Sequence, residues 1–130
     1  MALAKRVKVG GAYYKGYVCP VSSAPGNYTV VITNASGAAM NGITITPDDY
    51  GSLDTMKVEH FNDTGGTGSC LAILAEDLHN CGPFSSVPLD FPAAELVNNG
   101  ECIKFTYINT ASIAMNVYLI AEFMGLKKTA

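Results

Sequence analysis

The chain has 130 residues, of which 48% are hydrophobic and 15% are charged, and its net charge is −3. A chain of this length suits one domain that buries roughly two-thirds of its unfolded surface. Its charged fraction is well below the usual quarter, so we expect neighbouring molecules to cover part of its apolar surface. No segment approaches the ~20 apolar residues of a membrane span, and no apolar signal segment follows the first charges. We therefore expect a protein made in the cytoplasm with no membrane partner.

Basic residues are concentrated at the two ends of the chain. Six of the eight lie in the first fifteen residues or near the C-terminus, whereas all eleven acidic residues lie between Asp48 and Glu122. In the basic N-terminal arm, residues 1–9, basic and β-branched residues alternate before the Gly10–Gly11 break. This pattern predicts a segment that adds as a strand to a sheet edge on a neighbouring subunit; the alternative is a solvated tail. The candidate partner-binding residues are Lys5, Arg6, Val7, Lys8, Val9, Lys127 and Lys128.

Alternation of apolar and polar residues predicts strands along most of the chain, because successive side chains of a strand point to opposite faces. After the arm, the first four predicted strands cover residues 12–19, 28–33, 43–46 and 53–62, between turns rich in Gly, Asn, Ser and Pro. In the last of these, Met56, Val58 and His60 share one face.

Residues 70–78 fit two kinds of element. Their Ala, Leu and Glu content favours a helix, with Ser69 as the N-cap. Their position after a hairpin-like connection, in a chain that is otherwise β, favours a strand, since a helix would leave the preceding strand without a neighbour. We predict a strand.

The chain closes with three further predictions. Residues 81–91 contain two prolines, which predicts an extended segment at a sheet edge. Residues 92–97, followed by Asn, Asn and Gly, predict one helical turn with a glycine stop. Residues 102–109 and 115–124 alternate regularly on either side of a short polar break, which predicts a closing β-hairpin.

These elements predict an all-β fold, a single antiparallel β-sandwich over residues 1–130, with a jelly roll as one form of it. The period-2 runs define the expected core. Its predicted members are Val30, Ile32, Met56, Val58, Ile103, Phe105, Val117, Leu119 and Phe123.

Candidate chemistry is sparse, and we expect no catalytic residue, metal or cofactor. Glu59 and His60 point to opposite faces of a strand, which argues against an acid–base pair. A zinc site would need Cys70, His79 and Cys81 to converge with His60, without the ligand spacing of structural zinc. Three aspartates, Asp48, Asp49 and Asp54, lack the spacing of a calcium loop. The seven tyrosines have no basic stripe beside them, so we expect no nucleic acid partner.

Four cysteines are present, at Cys19, Cys70, Cys81 and Cys102. In a cytoplasmic protein the expectation is reduced thiols, mostly buried. A particle that leaves the cell can oxidise later, and the spacing does not define a pairing, so a disulfide stays open at this point.

In its overall style the chain resembles the small decoration, or cement, proteins of tailed bacteriophages. The resemblance is carried by residues 2–14 (ALAKRVKVGGAYY), 28–37 (YTVVITNASG) and 107–118 (YINTASIAMNVY), none of which is a diagnostic motif. It implies a structural virion protein, made in the host cytoplasm, that lies outside an icosahedral capsid and stabilises it by bridging subunits. It implies the major capsid protein as partner, a homodimer or homotrimer, and no active site. The alternative function is a carbohydrate- or receptor-binding β-sandwich of a phage fibre or tail.

Overall fold

The computed structural model describes residues 6–7, 12–33, 39–124 and 127–128. Every regular element in these ranges is a β-strand, which confirms the predicted all-β class. In the same ranges no helix is long and apolar enough to cross a membrane. The strands are β1 (Arg6–Val7), β2 (Ala12–Val21), β3 (Gly26–Thr33), β4 (Ala39–Pro47), β5 (Thr55–Phe61), β6 (Cys70–His79), β7 (Val87–Leu96), β8 (Cys102–Asn109), β9 (Met115–Met124) and β10 (Lys127–Lys128).

Eight of these strands form two four-stranded antiparallel sheets that pack as a sandwich, as predicted. The first sheet has the order β2-β9-β4-β7, and the second has the order β3-β8-β5-β6. The short strands β1 and β10 pair with each other in a separate two-stranded ribbon.

The pairing is nested. β5 pairs with β6, β4 with β7, β3 with β8, β2 with β9 and β1 with β10, all antiparallel. The chain is therefore one long hairpin with its tip between β5 and β6. Two further pairings, β4 with β9 and β5 with β8, fold this hairpin into the two sheets.

The connections lie at two ends of the sandwich. We call the upper end the one formed by residues 22–25, 48–54, 80–86 and 110–114, and the lower end the one that carries residues 62–69 and 97–101. At the upper end all four connections cross from one sheet to the other, whereas residues 62–69 join two neighbours in the second sheet.

The core lies between the sheets and follows the predicted alternation. Along β9, buried and exposed residues alternate almost without interruption. Eight of the nine predicted core residues are at most 1% exposed, and they are Ile32, Met56, Val58, Ile103, Phe105, Val117, Leu119 and Phe123. The ninth, Val30, is half-buried and packs against the core, because β3 is the outermost strand of its sheet.

Two predictions about the C-terminal third are wrong. β8 and β9 do not form a hairpin, because they lie in different sheets and residues 110–114 cross between them. The alternation of each strand is satisfied in either sheet, so the pattern could not select the partner. Residues 92–97 do not form a helical turn, since β7 runs to Leu96. Between Asp90 and Glu95 the strand bulges, with four residues facing one residue of β4.

The predicted strand at residues 70–78 is confirmed as β6. It pairs with β5 through three register shifts, which accommodate more residues on β6 than on its partner. The edge position predicted for residues 81–91 is also confirmed for the part within β7, which is the outermost strand of the first sheet.

Candidate interaction surfaces

The outer side of the first sheet exposes a group of large apolar side chains. Tyr14 is 64% exposed, Ile120 50%, Val18 48%, and Tyr118 and Met124 40% each. We call these five residues the apolar face. Successive side chains of a strand point to opposite sides of the sheet. Along β9 every second residue is buried in the core, so the residues between them, such as Tyr118 and Ile120, point outward.

The strand register makes the apolar face continuous. Val18 lies directly opposite Tyr118, and Ile120 lies opposite Gly16, which has no side chain to cover it. Glu122, on the same side of β9, is half-buried and accepts a 3.5 Å hydrogen bond from Asn41. With ~200 Å² for each fully exposed large side chain, the face presents about 500 Å², which is at the upper end for the largest patch of a monomer.

The upper end is built on a buried carboxylate. Asp54 is 0% exposed, and it accepts hydrogen bonds from the Tyr107 hydroxyl at 2.6 Å and the backbone N–H groups of Thr110 and Ala111 at 2.7 and 2.9 Å. Burial raises the pKa of this carboxyl, but these hydrogen bonds outweigh that effect and hold it below its usual value. Asn80 donates to the Tyr107 oxygen at 2.9 Å. Three of the four upper connections are therefore fixed to one another.

This rigid end also presents apolar side chains. Leu53 is 75% exposed, Phe84 70% and Tyr50 45%. The Phe84 backbone N–H donates to the Pro47 carbonyl at 2.7 Å, which fixes the connection between β6 and β7 against the end of β4. The upper end thus also exposes large apolar side chains, fewer than the apolar face does.

At the lower end, His60 lies between two glutamates. It is 4% exposed, with Nδ1 2.7 Å from Oε2 of Glu95 and Nε2 2.8 Å from Oε1 of Glu101. Both ring nitrogens are therefore engaged in hydrogen bonds to carboxylate oxygens. The hydrogen bond from the Asn98 backbone N–H, and then that from His60, lower the pKa of Glu101. This arrangement connects β5, β7 and the turn before β8.

The predicted metal candidates are not brought together. Cys70 and His79 begin and end the same ten-residue strand, roughly 30 Å apart at ~3.3 Å per residue. The glutamates beside His60 lie on opposite sides of its ring, so these three groups do not face a common point. Within the described ranges no group of three His, Cys, Asp or Glu side chains is placed to hold a metal ion.

The aspartates suggested for calcium have separate structural roles. Asp48 accepts a 2.8 Å hydrogen bond from the Asn116 backbone N–H, and Asp49 accepts one of 2.8 Å from that of Tyr50. Asp54 serves the buried network described above.

All four cysteines are free thiols. Cys19 and Cys102 are buried, and burial raises the pKa of Cys19 to about 11 and also raises that of Cys102. Cys70 and Cys81 are exposed.

The predicted partner-binding residues meet, where the structure describes them, at the β1–β10 ribbon. Arg6 lies opposite Lys128, and Val7 lies opposite Lys127. Lys5, Lys8 and Val9 lie outside the described residues. Addition of the arm to a neighbouring subunit stays a prediction.

Sequence reasoning missed both the apolar face and the surroundings of His60. For the apolar face a signal existed, because Tyr118 and Ile120 occupy alternating positions at which a solvated strand carries polar residues. For His60 no local signal existed, since its two carboxylates are 35 and 41 residues away in sequence.

The sequence matches no family model and no curated protein. Among solved structures, a chain of the cyanophage Pam1 capsid asymmetric unit is 18% identical, with a TM-score of 0.45 over 95% of this chain and 93% of that one. A chain of Bacillus endospore appendages, described as disulfide-linked pili, is 11% identical, with a TM-score of 0.47 over 98% and 96%. A chain of tomato aspermy virus is 12% identical, with a TM-score of 0.48 over 96% and 84%. Two of these three neighbours are chains of virus structures, one of them a phage capsid asymmetric unit. At such identities and TM-scores the likeness establishes no family and no function for this chain.

Proposed function

We propose that this chain is a structural virion protein, a decoration protein that binds the outside of an icosahedral capsid and bridges its subunits. The observation that carries the proposal is the apolar face, an exposed and largely uncharged side of a rigid sheet. The nested strand order supports a jelly roll, an architecture used by viral capsid domains and also by lectins. The partner in this proposal is the major capsid protein, and the site of action is the capsid surface.

The size of the apolar face supports binding through several weak contacts. Covering about 500 Å² gives roughly 12 kcal/mol at ~25 cal/mol per Å², and association itself costs about 4–15 kcal/mol. One face is also smaller than the ~800 Å² that each partner contributes to a standard interface. Stable attachment therefore needs a second contact. Bridging two capsid subunits provides it, because the first contact holds the second site nearby at a high effective concentration.

The basic ends are the proposed second contact. The ribbon brings the backbones of Arg6 and Lys128 together, and the candidate residues at both ends add positive charge to a chain whose net charge is −3. In this proposal the basic ends steer attachment to an acidic capsid surface.

We also propose that the chain acts without catalysis. His60, the buried histidine, has both ring nitrogens occupied by carboxylates. It therefore offers no free nitrogen to accept a proton from a substrate. The exposed thiols of Cys70 and Cys81 have no base as a hydrogen-bond partner, since each donates to a backbone carbonyl two residues away.

The test is cosedimentation with empty shells of the major capsid protein encoded by the same genome. Ile120→Asp places a charge in the apolar face and is expected to lower binding at least about tenfold, since a buried unpaired charge costs several kcal/mol. The matched control is Ile73→Asp, because Ile73 is 56% exposed on the outer strand β6 of the other sheet. Equal binding by both variants and the unmodified chain contradicts the proposal.

A glycan array separates the alternative function. Tyr14 and Tyr118 both lie on the apolar face, and exposed tyrosines are typical stacking surfaces for sugars. Glycan binding that is lost in Tyr118→Ala, without binding to shells, favours the carbohydrate-binding module over the decoration protein.

A further inference from the structure

The four outermost strands of the two sheets differ in how their free edges are protected. β6 has three register shifts against its partner and carries Glu76 and Asp77. β7 has a four-residue bulge and two prolines. β2 carries Lys15 and Pro20. Bulges, charges and prolines are the usual features that prevent edge strands from pairing with other chains.

β3 has none of these features. All eight of its residues pair with β8 in one unbroken register, from Gly26 opposite Asn109 to Thr33 opposite Cys102. The strand contains no charged residue and no proline. Within the described residues its only backbone pairing is with β8, so every second residue directs its N–H and C=O groups to a free edge.

The side chains of β3 also indicate an incomplete sheet. Ile32 is fully buried, but Tyr28 and Val30, which point to the same side, are only half-buried although they pack on the core. They belong to the outermost strand of their sheet, so no further strand in the described ranges lies beside them. Tyr28 is held in place there by its hydroxyl, which donates to the Ala24 carbonyl at 2.7 Å.

We propose that β3 pairs antiparallel with β3 of a second copy of this chain, joining the two second sheets into one of eight strands. Charge favours a second copy at this edge. Two copies of an acidic chain meet no repulsion along an uncharged strand, whereas pairing through β6 would bring Glu76 and Asp77 against their own counterparts. Within the described residues, β3 also carries no charge that would select a foreign sequence.

The register follows from the faces of the sheet. Directly opposite residues of antiparallel strands lie on the same face, so the continuous sheet must pair inward residues with inward residues. A two-fold axis at Val30 satisfies this condition and places Tyr28 opposite Ile32 of the second copy. Aromatic and β-branched residues are a favourable cross-strand pair. Such two-fold pairing is closed, so it yields a dimer and not a filament.

The test is sedimentation equilibrium of the full chain, with hydrogen exchange of the peptide spanning residues 28–33. We expect a dimer at about 100 µM, and slower exchange of this peptide as concentration rises. Thr29→Lys places a charge on the exposed side of β3 and is expected to weaken dimerisation about tenfold or more. Asn116→Lys is the control, because it makes the same charge change at an exposed site on the central strand β9.

Two outcomes overturn the inference. One is a monomer at every concentration. The other is a dimer that Thr29→Lys leaves intact and in which exchange of residues 28–33 does not depend on concentration. If Ile120→Asp dissociates the dimer, the two copies pair through the apolar face and not through β3. The inference does not depend on the proposed function. Shell binding through the apolar face is measured in a separate experiment, and both a monomer and a dimer could bind in that way.

Discussion

Replacing Asp54 tests whether the upper end depends on one buried carboxylate. Asp54→Ala leaves four donors without their acceptor, namely the buried Tyr107 hydroxyl, the Thr110 N–H and hydroxyl groups and the Ala111 N–H, the last three being partly buried. Each unsatisfied donor costs about 1–3 kcal/mol, and since water enters part of the space, we expect a total loss of about 4 kcal/mol. Asp54→Asn keeps an oxygen for the backbone donors but loses the charge, so we expect about 2 kcal/mol.

The pH dependence of this loss identifies its cause. Because the pKa of Asp54 is lowered in the folded protein, its contribution is fully present above the unfolded value of about 3.9 and is lost as pH falls through the folded value. Urea unfolding at about pH 7 and pH 3 should therefore show the gap between the unmodified chain and Asp54→Asn shrinking in acid.

The control for both measurements is Asp90→Asn, because Asp90 is exposed on β7. It should leave stability within about 0.5 kcal/mol of the unmodified chain at both pH values. Two results refute the reasoning. One is that Asp54→Asn and the unmodified chain have equal free energies of unfolding at neutral pH, and the other is that their difference is the same at both pH values.

Three further predictions concern stability, each measured by urea unfolding. Phe105→Ala, in the centre of the core, should cost about 3–5 kcal/mol of unfolding free energy. Phe84→Ala is the control, because that side chain is 70% exposed, and it should change stability by less than about 0.5 kcal/mol. Equal losses would contradict the assigned core. Gly42→Ala should cost about 1–3 kcal/mol, since its Cβ would overlap the Leu89 carbonyl, and Gly16→Ala, whose Cβ meets nothing nearer than 3.9 Å, is the control. His60→Ala should cost about 1–3 kcal/mol, because it leaves Glu95 and Glu101 without their shared hydrogen-bond partner. A loss below about 0.5 kcal/mol would refute this.

The sequence predicted the layers of this fold better than its connections. Period-2 alternation depends only on which side of a strand is buried, so it identified Ile32, Phe105 and Val117 as core residues before any partner was known. The alternation could not determine which of the two sheets a strand joins, because a strand with one apolar side can bury that side in either sheet. The β8–β9 hairpin was wrong for this reason, and the crossing of residues 110–114 depends on Asp54, about 56 residues earlier in sequence.

The candidate surfaces were only partly predictable. Low charge and high apolar content indicated a covered surface, but the location of the apolar face required the pairing of β2 with β9. The bulge of β7 resembles a helical turn in sequence, because Pro92 and the following alanines fit both local patterns. Interactions between distant residues, such as those of His60, carry no local periodicity.

The nested pairing determines when the protein can fold during its synthesis. The hairpin of β5 and β6 closes over the eight residues 62–69 and can form early, whereas β2 finds its partner only after β9 has been made. β9 also lies between β2 and β4, so the first sheet cannot assemble until β9 has left the ribosome. Such high contact order slows folding and keeps apolar strands accessible to other nascent chains for longer. Truncation before Met115 should therefore yield insoluble material, not a smaller domain, which the soluble fraction after expression measures.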